Sequence, residues 1–162
     1  MVSFHDDVHI CTESFGSPGN PAVLLIMGAA SSMIWWETEF CEKLADKGFY
    51  VIRYDNRDTG KSTCYPPGEP GYTFEDLADD AVAVLDAYEI DKAIIMGMSM
   101  GGMLTQMVAL RYPQRVAGIV LLSSMYFADG AESLPYSSDA VNAFFEQMAK
   151  SEPPKDTDGL VE

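Results

Sequence analysis

The feature that most constrains the fold of this chain is the alternation of short apolar runs with segments of helical periodicity. Four runs are nearly continuous in apolar residues: 22–27, 49–54, 93–98 and 116–123. Strands of a parallel sheet have this composition because helices cover both faces of the sheet and neither face meets water. The alternation therefore predicts an α/β fold with a doubly wound, mostly parallel sheet. A more alternating segment, 9–15, is a candidate antiparallel first strand.

Helical segments separate the apolar runs. In the first of them, Phe40, Leu44 and the stem of Lys47 share one face, and Gly48 predicts the end of the helix. The third extends over 100–112 and stops before a proline. Helices between consecutive apolar runs are typical of the right-handed crossovers that connect parallel strands.

The second helical segment has the clearest start signal. Thr73 followed by Asp76 predicts a capping box, with Asp in place of the usual Glu or Gln. An apolar stripe at helical spacing follows, formed by Leu77, Ala81, Val84, Leu85 and Tyr88. Four carboxylates occupy the first turns, those of Glu75, Asp76, Asp79 and Asp80. We interpret them as a solvated helix face that benefits from the helix dipole, and not as paired catalytic acids.

The net charge of the chain and the length of its apolar runs limit the kinds of partner that it can bind. The 162 residues include 10 Lys and Arg against 25 Asp and Glu, which gives a net charge of −15. Nucleic-acid binding depends on clustered cations that replace phosphate counterions, so we expect no nucleic-acid partner. We expect no membrane partner either, because anionic surfaces repel such a chain and no apolar run approaches the roughly 20 residues that span a bilayer. We expect the N-terminal part of an α/β core over 1–124, followed by the start of a cap and an acidic linker over 125–162.

The cysteines indicate the compartment. Cys11, Cys41 and Cys64 are widely spaced and odd in number, which argues against a disulfide framework. No pair has the spacing of metal ligands, so no metal site is expected. The first residues carry acids where a secretory signal peptide carries positive charge. We therefore expect a cytoplasmic protein.

The strongest chemical signal is the motif GMSMG at residues 97–101. It follows the apolar run 93–98 and opens a helix, which is the context of a nucleophile elbow. In such a turn the flanking glycines let neighbouring backbone approach closely, and the serine hydroxyl stands at the carboxyl edge of the sheet. Ser99 is therefore the candidate nucleophile. The alternative is a glycine-rich strand–helix turn with a solvent-facing serine.

Acyl transfer also needs amide N–H groups that stabilise an oxyanion. The backbone N–H of Met100, directly after Ser99, is one candidate donor. The other is Ala29, because the small residues of the loop 28–32 can bring a backbone amide close to the nucleophile. A plain tight turn is the alternative interpretation of this loop.

Other side chains near these motifs have two interpretations each. Trp35 and Met98 are candidates to line a substrate pocket, although core packing explains such side chains equally well. Asp55 and Arg57 follow the run 49–54 and either face the mouth of the site or pin their own loop by ion pairs and hydrogen bonds. We favour pinning, since charge pairs that hold loops are commoner than catalytic ones.

The order of these motifs resembles the N-terminal half of the α/β-hydrolase family. The similar segments are VLLIMG, VIRYDNRDTGKS, DLADDAVAVLDAY and GMSMGG, and they look closest to the branch of small-ester hydrolases that contains aclacinomycin methylesterase. The resemblance implies serine-dependent hydrolysis of carboxylic esters through an acyl-enzyme. It gives Ser99 the role of nucleophile, and Ala29 and Met100 the oxyanion amides. It also implies a small-molecule ester substrate and no metal or organic cofactor.

The histidines depart from that family. Its triad runs Ser, acid, His, with the last two on loops after later strands. This sequence has only His5 and His9, both near its start, while Asp129 and Glu132 lie several residues beyond the last apolar run. We therefore expect a core truncated after about the sixth strand, with the catalytic histidine, and its acid too, absent from this chain.

Three explanations of that departure stay open. The chain is one piece of a longer enzyme, it is completed by a second chain, or it is a truncation that acts as a non-catalytic binding or interaction module. The first is favoured because the chain ends in cap-like sequence. Thioesterase, lactonase, carbon–carbon hydrolase and perhydrolase are the alternative activities of the same fold. A dehalogenase is disfavoured because that chemistry needs a carboxylate where Ser99 stands.

Overall fold

The computed structural model of the chain describes residues 2–4 and 8–125, together with residues 138, 139, 143, 146 and 147. The chain divides into two units, Met1–Phe127 and Ala128–Glu162. The elements described below belong to the first unit. The hypotheses about His5, Asp129 and Glu132 concern positions outside the described residues, and the division into 1–124 and 125–162 stays a prediction.

The strands form one main sheet and one small hairpin. They are β1 (Val2–Phe4), β2 (Val8–Ile10), β3 (Thr12–Phe15), β4 (Ala22–Ile26), β5 (Tyr50–Tyr54), β6 (Ala93–Met98) and β7 (Val116–Leu122). The main sheet has the order β3-β5-β4-β6-β7, in which β3 is antiparallel and the other strands are parallel. The mostly parallel sheet is confirmed. The single strand predicted over 9–15 is wrong in extent, because β2 pairs with β1 and only β3 joins the main sheet.

Three α-helices cover the two faces of the sheet: α1 (Thr38–Asp46), α2 (Phe74–Ala87) and α3 (Met100–Arg111). Alternate residues of β4 point to opposite faces, as a strand requires. Leu24 and Ile26 pack in the core beneath α2 and α3, whereas Val23 and Leu25 pack in the core beneath α1. The doubly wound α/β architecture is therefore confirmed. Within the described residues, no helix combines the length and apolarity needed to cross a membrane.

The helix ends follow the local signals. The Thr73 hydroxyl accepts a hydrogen bond from the Asp76 N–H, and the Asp76 carboxylate accepts one from the Thr73 N–H at 2.7 Å, so the capping box is confirmed. These bonds lower the pKa of Asp76. The solvated face predicted for the acids of α2 is wrong for Asp80, which is 2% exposed. Asp80 lies one turn beyond Leu77 on the face of the helix that packs against the core.

β7 is the edge of the main sheet, since β6 is its one partner among the described strands. Its residues alternate between half-buried and exposed. Ile119 and Leu121 are 45% and 42% exposed, so one face of this edge strand is apolar and uncovered by the described elements.

Candidate active site

Ser99 occupies the turn between β6 and α3. Its backbone has φ 53° and ψ −119°, and it is the N-cap residue of α3. A positive φ is costly for a residue with a Cβ atom, and it persists only where the surroundings hold it. Here the Ser99 N–H donates to the Leu122 carbonyl at 2.9 Å, and the Ser124 hydroxyl donates to the Ser99 carbonyl at 2.9 Å. The exposed side chain of Ser99 therefore stands on a strained turn that is held from the end of β7.

The two motif glycines are required by close backbone approach. A Cβ atom on Gly97 would collide with the carbonyl group of Gly101. A Cβ atom on Gly101 would collide with the carbonyl oxygen of Ile26, at the end of β4. The spacing of the motif thus reflects contacts between β6, α3 and β4, and the solvent-facing serine lies on the sharp turn that the elbow interpretation predicts.

The loop after β4 lies beside Ser99. A Cβ atom on Gly28 would be 3.3 Å from the Cβ atom of Ser99, so this backbone passes within contact distance of the serine. We call residues 27–33 the oxyanion loop, after the role that the sequence analysis predicts for Ala29. Ala29 is exposed in this loop, and Met100 is the first residue of α3, where a helical N–H has no intrahelical partner. The structure thus brings the two sequence-predicted oxyanion residues to the surroundings of Ser99.

Ala29 and Met100 also line one cavity of about 380 Å³. Its apolar wall consists mainly of Pro70, Tyr72, Phe74 and Leu77, from the start of α2 and the segment before it. A volume of this size lies within the range of small-molecule sites. Arg57 and Asp58 add one charge of each sign to the lining. A mostly apolar cavity next to two candidate oxyanion donors is chemically suited to a substrate with a carbonyl group and an apolar body.

Neither proposed pocket side chain lines this cavity. Trp35 ends a short 3₁₀ helix and is 69% exposed. Its neighbour Trp36 is buried and stacks on Phe40, with ring centroids 5.7 Å apart. Met98 is half-buried and packs against the core beneath α1. A role of Trp35 and Met98 in substrate binding stays a prediction.

The loop after β5 is pinned by charge, as we favoured from the sequence. The Arg57 guanidinium donates two hydrogen bonds to the Asp80 carboxylate, at 2.7 and 2.8 Å; the Asp80 side chain is buried and that of Arg57 is largely buried. Burial raises the pKa of Asp80, and the Arg57 charge opposes that rise. Asp55 is 2% exposed and accepts hydrogen bonds from the Ser32 hydroxyl and the Met33 N–H. These contacts join the loop to α2 on one side and to the oxyanion loop on the other.

Three residues that contact the site were missed from the sequence. Ser32 bonds to Asp55, Asn56 donates its side-chain amide to the Met27 carbonyl at 3.3 Å, and Ser124 bonds to Ser99. Each belongs to a loop that follows a strand of the main sheet. That position was their one signal, because the carboxyl ends of parallel strands share an edge of the sheet.

His9 lies in β2, outside the main sheet. Its backbone N–H donates to the Thr63 hydroxyl at 2.8 Å, and its carbonyl accepts from the Thr63 N–H at 2.9 Å. The histidine is thus a residue of a hairpin strand tied to the end of the β5 loop.

Known proteins resemble the chain over most of its length. A family model described as the alpha/beta hydrolase fold matches residues 21–157. Rhodomycin D methylesterase DauP of Streptomyces sp. (strain C5) is 39% identical over 91% of this chain and 46% of its own. Rhodomycin D methylesterase DnrP of Streptomyces peucetius is 37% identical over 92% of this chain and 47% of its own. The chain therefore spans about half the length of these curated relatives.

A solved structure agrees with the sequence relatives. The structure titled "Est816 as an N-Acyl homoserine lactone degrading enzyme" superposes with a TM-score of 0.67 at 30% identity, over 90% of this chain and 55% of the other. The match of the family model, the identities above and the strand–elbow–helix geometry at Ser99 all point to one family. The chain belongs to the α/β-hydrolase fold family.

Proposed function

We propose that this chain carries the nucleophile and the oxyanion donors of a serine-dependent hydrolase that acts on carboxylic esters of small molecules. The observation that carries the proposal is the strained Ser99 turn, with Ala29 and Met100 beside it on one cavity. Relatives named as methylesterases support the ester as the acyl substrate. The apolar part of the cavity wall suits an ester with an apolar body.

The proposed reaction has two halves. The Ser99 hydroxyl oxygen forms a bond to the ester carbonyl carbon, while the amides of Ala29 and Met100 donate to the developing oxyanion. The bond to the alkoxy group then breaks, and that group takes up the serine proton and leaves as an alcohol. Water next attacks the acyl-enzyme, which releases the acid and returns the proton to Ser99. Neither half requires a metal or an organic cofactor.

A base must carry the proton between these groups, because a serine hydroxyl is barely nucleophilic at neutral pH. We propose that a histidine from outside residues 1–162, oriented by an acid also from outside them, is that base. The uncovered apolar edge of β7 supports this proposal, because Ile119 and Leu121 offer a surface on which a completing polypeptide segment packs. If the chain has no such partner, it is a non-catalytic binding or interaction module.

The cysteines support a reducing compartment. Cys11, Cys41 and Cys64 are all free thiols, and Cys41 is fully buried. Disulfides are rare in the cytosol, where free thiols persist. We therefore propose a cytoplasmic location for the protein.

Covalent labelling of Ser99 tests the proposed function. The purified chain is treated with a fluorophosphonate, with and without imidazole in solution, and its intact mass is measured over time. We expect slow labelling of Ser99 that imidazole accelerates, because the added base replaces the one that the chain lacks. The phosphorus–oxygen bond forms on Ser99, and fluoride leaves as the serine proton passes to the base.

Two variants make the labelling test specific. Ser99→Ala should abolish the adduct, whereas Ser14→Ala, which removes an exposed serine of β3, should leave it unchanged. An adduct that persists in Ser99→Ala, or no adduct on the unaltered chain even with imidazole, would contradict the proposal. Fast labelling without imidazole would instead show that the chain holds its own base.

A further inference from the structure

Two consecutive side chains of the β5 loop hold the oxyanion loop at both of its ends. At one end, the Asn56 side-chain amide donates to the Met27 carbonyl. At the other end, one carboxylate oxygen of Asp55 accepts from the Ser32 hydroxyl and from the Met33 N–H, each at 2.7 Å. Ala29 lies between these two anchored ends. Its amide is therefore positioned by contacts that come from a different strand.

The partners of Asp55 require a carboxylate. Its second oxygen accepts from the Lys61 N–H at 2.9 Å, so both oxygens face donors. Gly60 has φ 54°, and a Cβ atom there would collide with the Asp55 carboxyl group. An ionised carboxylate only accepts hydrogen bonds, whereas an amide would turn an N–H group towards one of these donors. Asp55 is 2% exposed, so an amide N–H turned towards one of these donors would cost the folded state a buried hydrogen bond.

We propose that Asp55 is a positioning residue for the oxyanion donor of Ala29. Its carboxylate holds Ser32 and Met33, and so sets where the backbone of the oxyanion loop passes Ser99. Displacements of about 1 Å at such donors are enough to lower catalysis strongly, because the donors must meet the oxyanion and not the ground-state carbonyl. This inference rests on the proposed function of Ser99 and adds a residue that touches neither substrate nor nucleophile.

Asp80 offers a matched control within the same fold. Like Asp55, it is 2% exposed and accepts two or more hydrogen bonds. Its partner is Arg57, and no contact joins it to the oxyanion loop. Loss of either carboxylate therefore weakens the folded state, but only the loss of Asp55 releases the oxyanion loop.

The test compares Asp55→Asn with Asp80→Asn by the kinetics of Ser99 phosphonylation in a fixed concentration of imidazole. The limiting rate reports the chemical step, and the probe concentration for half that rate reports binding. We expect Asp55→Asn to lower the limiting rate about 10- to 100-fold with binding unchanged, approaching the loss of an oxyanion donor. Asp80→Asn should leave the limiting rate within about twofold of the unaltered chain.

A second variant protects the test against misfolding. Ser32→Ala removes one bond to Asp55 from the loop side and should lower the limiting rate about threefold, the equivalent of one hydrogen bond. Amide hydrogen exchange at Met33 gives a readout that needs no catalysis. It should quicken in Asp55→Asn and stay slow in Asp80→Asn, since only Asp55 accepts from that N–H.

The outcomes separate the two proposals. Equal limiting rates for Asp55→Asn and Asp80→Asn, on a chain whose Ser99 is labelled, would overturn the positioning role while the proposed function stands. A higher half-rate concentration with an unchanged limiting rate would overturn it too, because Asp55 would then act on binding. Absence of Ser99 labelling in the unaltered chain would overturn the proposed function, and the positioning role with it.

Discussion

The turn at Ser99 and the oxyanion loop lie side by side but are built in different ways. The Ser99 turn depends on backbone packing, because Gly97 and Gly101 let β6, α3 and β4 approach closely and Leu122 accepts the Ser99 N–H. The oxyanion loop depends on side chains instead, since Asp55 and Asn56 reach it from the loop after β5, the strand next to β4 in the sheet.

This difference separates two kinds of sensitivity. A turn that is set by backbone contact tolerates no added atom, so its glycines are intolerant of any substitution. A loop that is set by side-chain hydrogen bonds tolerates changes in volume but not changes in charge or in donor and acceptor character. Stability and reactivity are therefore expected to respond to different substitutions in the two regions.

The largest effect is expected from the ion pair between Arg57 and Asp80, which joins the β5 loop to α2. Asp80→Ala leaves the largely buried Arg57 charge without its carboxylate partner and should lower the free energy of unfolding by about 3–5 kcal/mol. Urea unfolding followed by circular dichroism measures it. Asp79→Ala is the control, because Asp79 pairs with Arg111 at an exposed position and should cost at most about 1 kcal/mol. If both variants lost the same free energy of unfolding, the buried acid Asp80 would contribute no more to stability than the exposed acid Asp79.

The turn at Ser99, which depends on close backbone packing, is tested by adding one methyl group. Gly101→Ala places a Cβ atom against the Ile26 carbonyl and should lower the free energy of unfolding by about 2–3 kcal/mol, with a slower Ser99 reaction. Gly118→Ala is the control, since nothing lies within 4 Å of a Cβ atom there. We expect it to change stability by no more than about 0.5 kcal/mol. Unfolding midpoints in urea show whether the loss of stability comes from the collision with Ile26 or from the replacement of glycine by alanine as such.

The smallest effect is expected from a contact that is local to one helix end. Asp76→Asn should lower the free energy of unfolding at neutral pH by about 0.5–1 kcal/mol, because the carboxylate interacts with the α2 N-terminus. Hydrogen bonds from Thr73 lower the pKa of Asp76 below its ordinary 3.8. The stabilisation by the Asp76 carboxylate is therefore fully present above pH 3.8, and it disappears as the pH falls through the lowered pKa.

Stability measured across the acid range checks this last expectation. The free energies of unfolding of the unaltered chain and of Asp76→Asn should become equal in acid. Glu75→Gln, at the same end of the helix, is the control that shows how much of the difference at neutral pH is due to charge alone. If the difference in free energy of unfolding between the unaltered chain and Asp76→Asn persisted in acid, it would be due to packing and not to the carboxylate of the capping box.

Prediction from the sequence succeeded where the signal was local. The extents of β4, β5 and β7 were right to within a residue, and the start of α2 was right because Thr73 and Asp76 contact each other within one turn. The elbow at Ser99 was found because its glycines, strand and helix are adjacent in the chain. The burial of Asp80 was missed because its partner Arg57 lies 23 residues away.

The sequence by itself determined the α/β class and the position of the strand–turn–helix segment at Ser99, since apolar periodicity and glycine spacing act over a few residues. Only the tertiary structure decided which side chains hold these groups in place. Asp55 reaches the oxyanion loop, and Ser124 reaches Ser99, across strands that are neighbours in the sheet but distant in the chain. Hydrogen bonds of this kind depend on strand order and register, which no short stretch of sequence encodes.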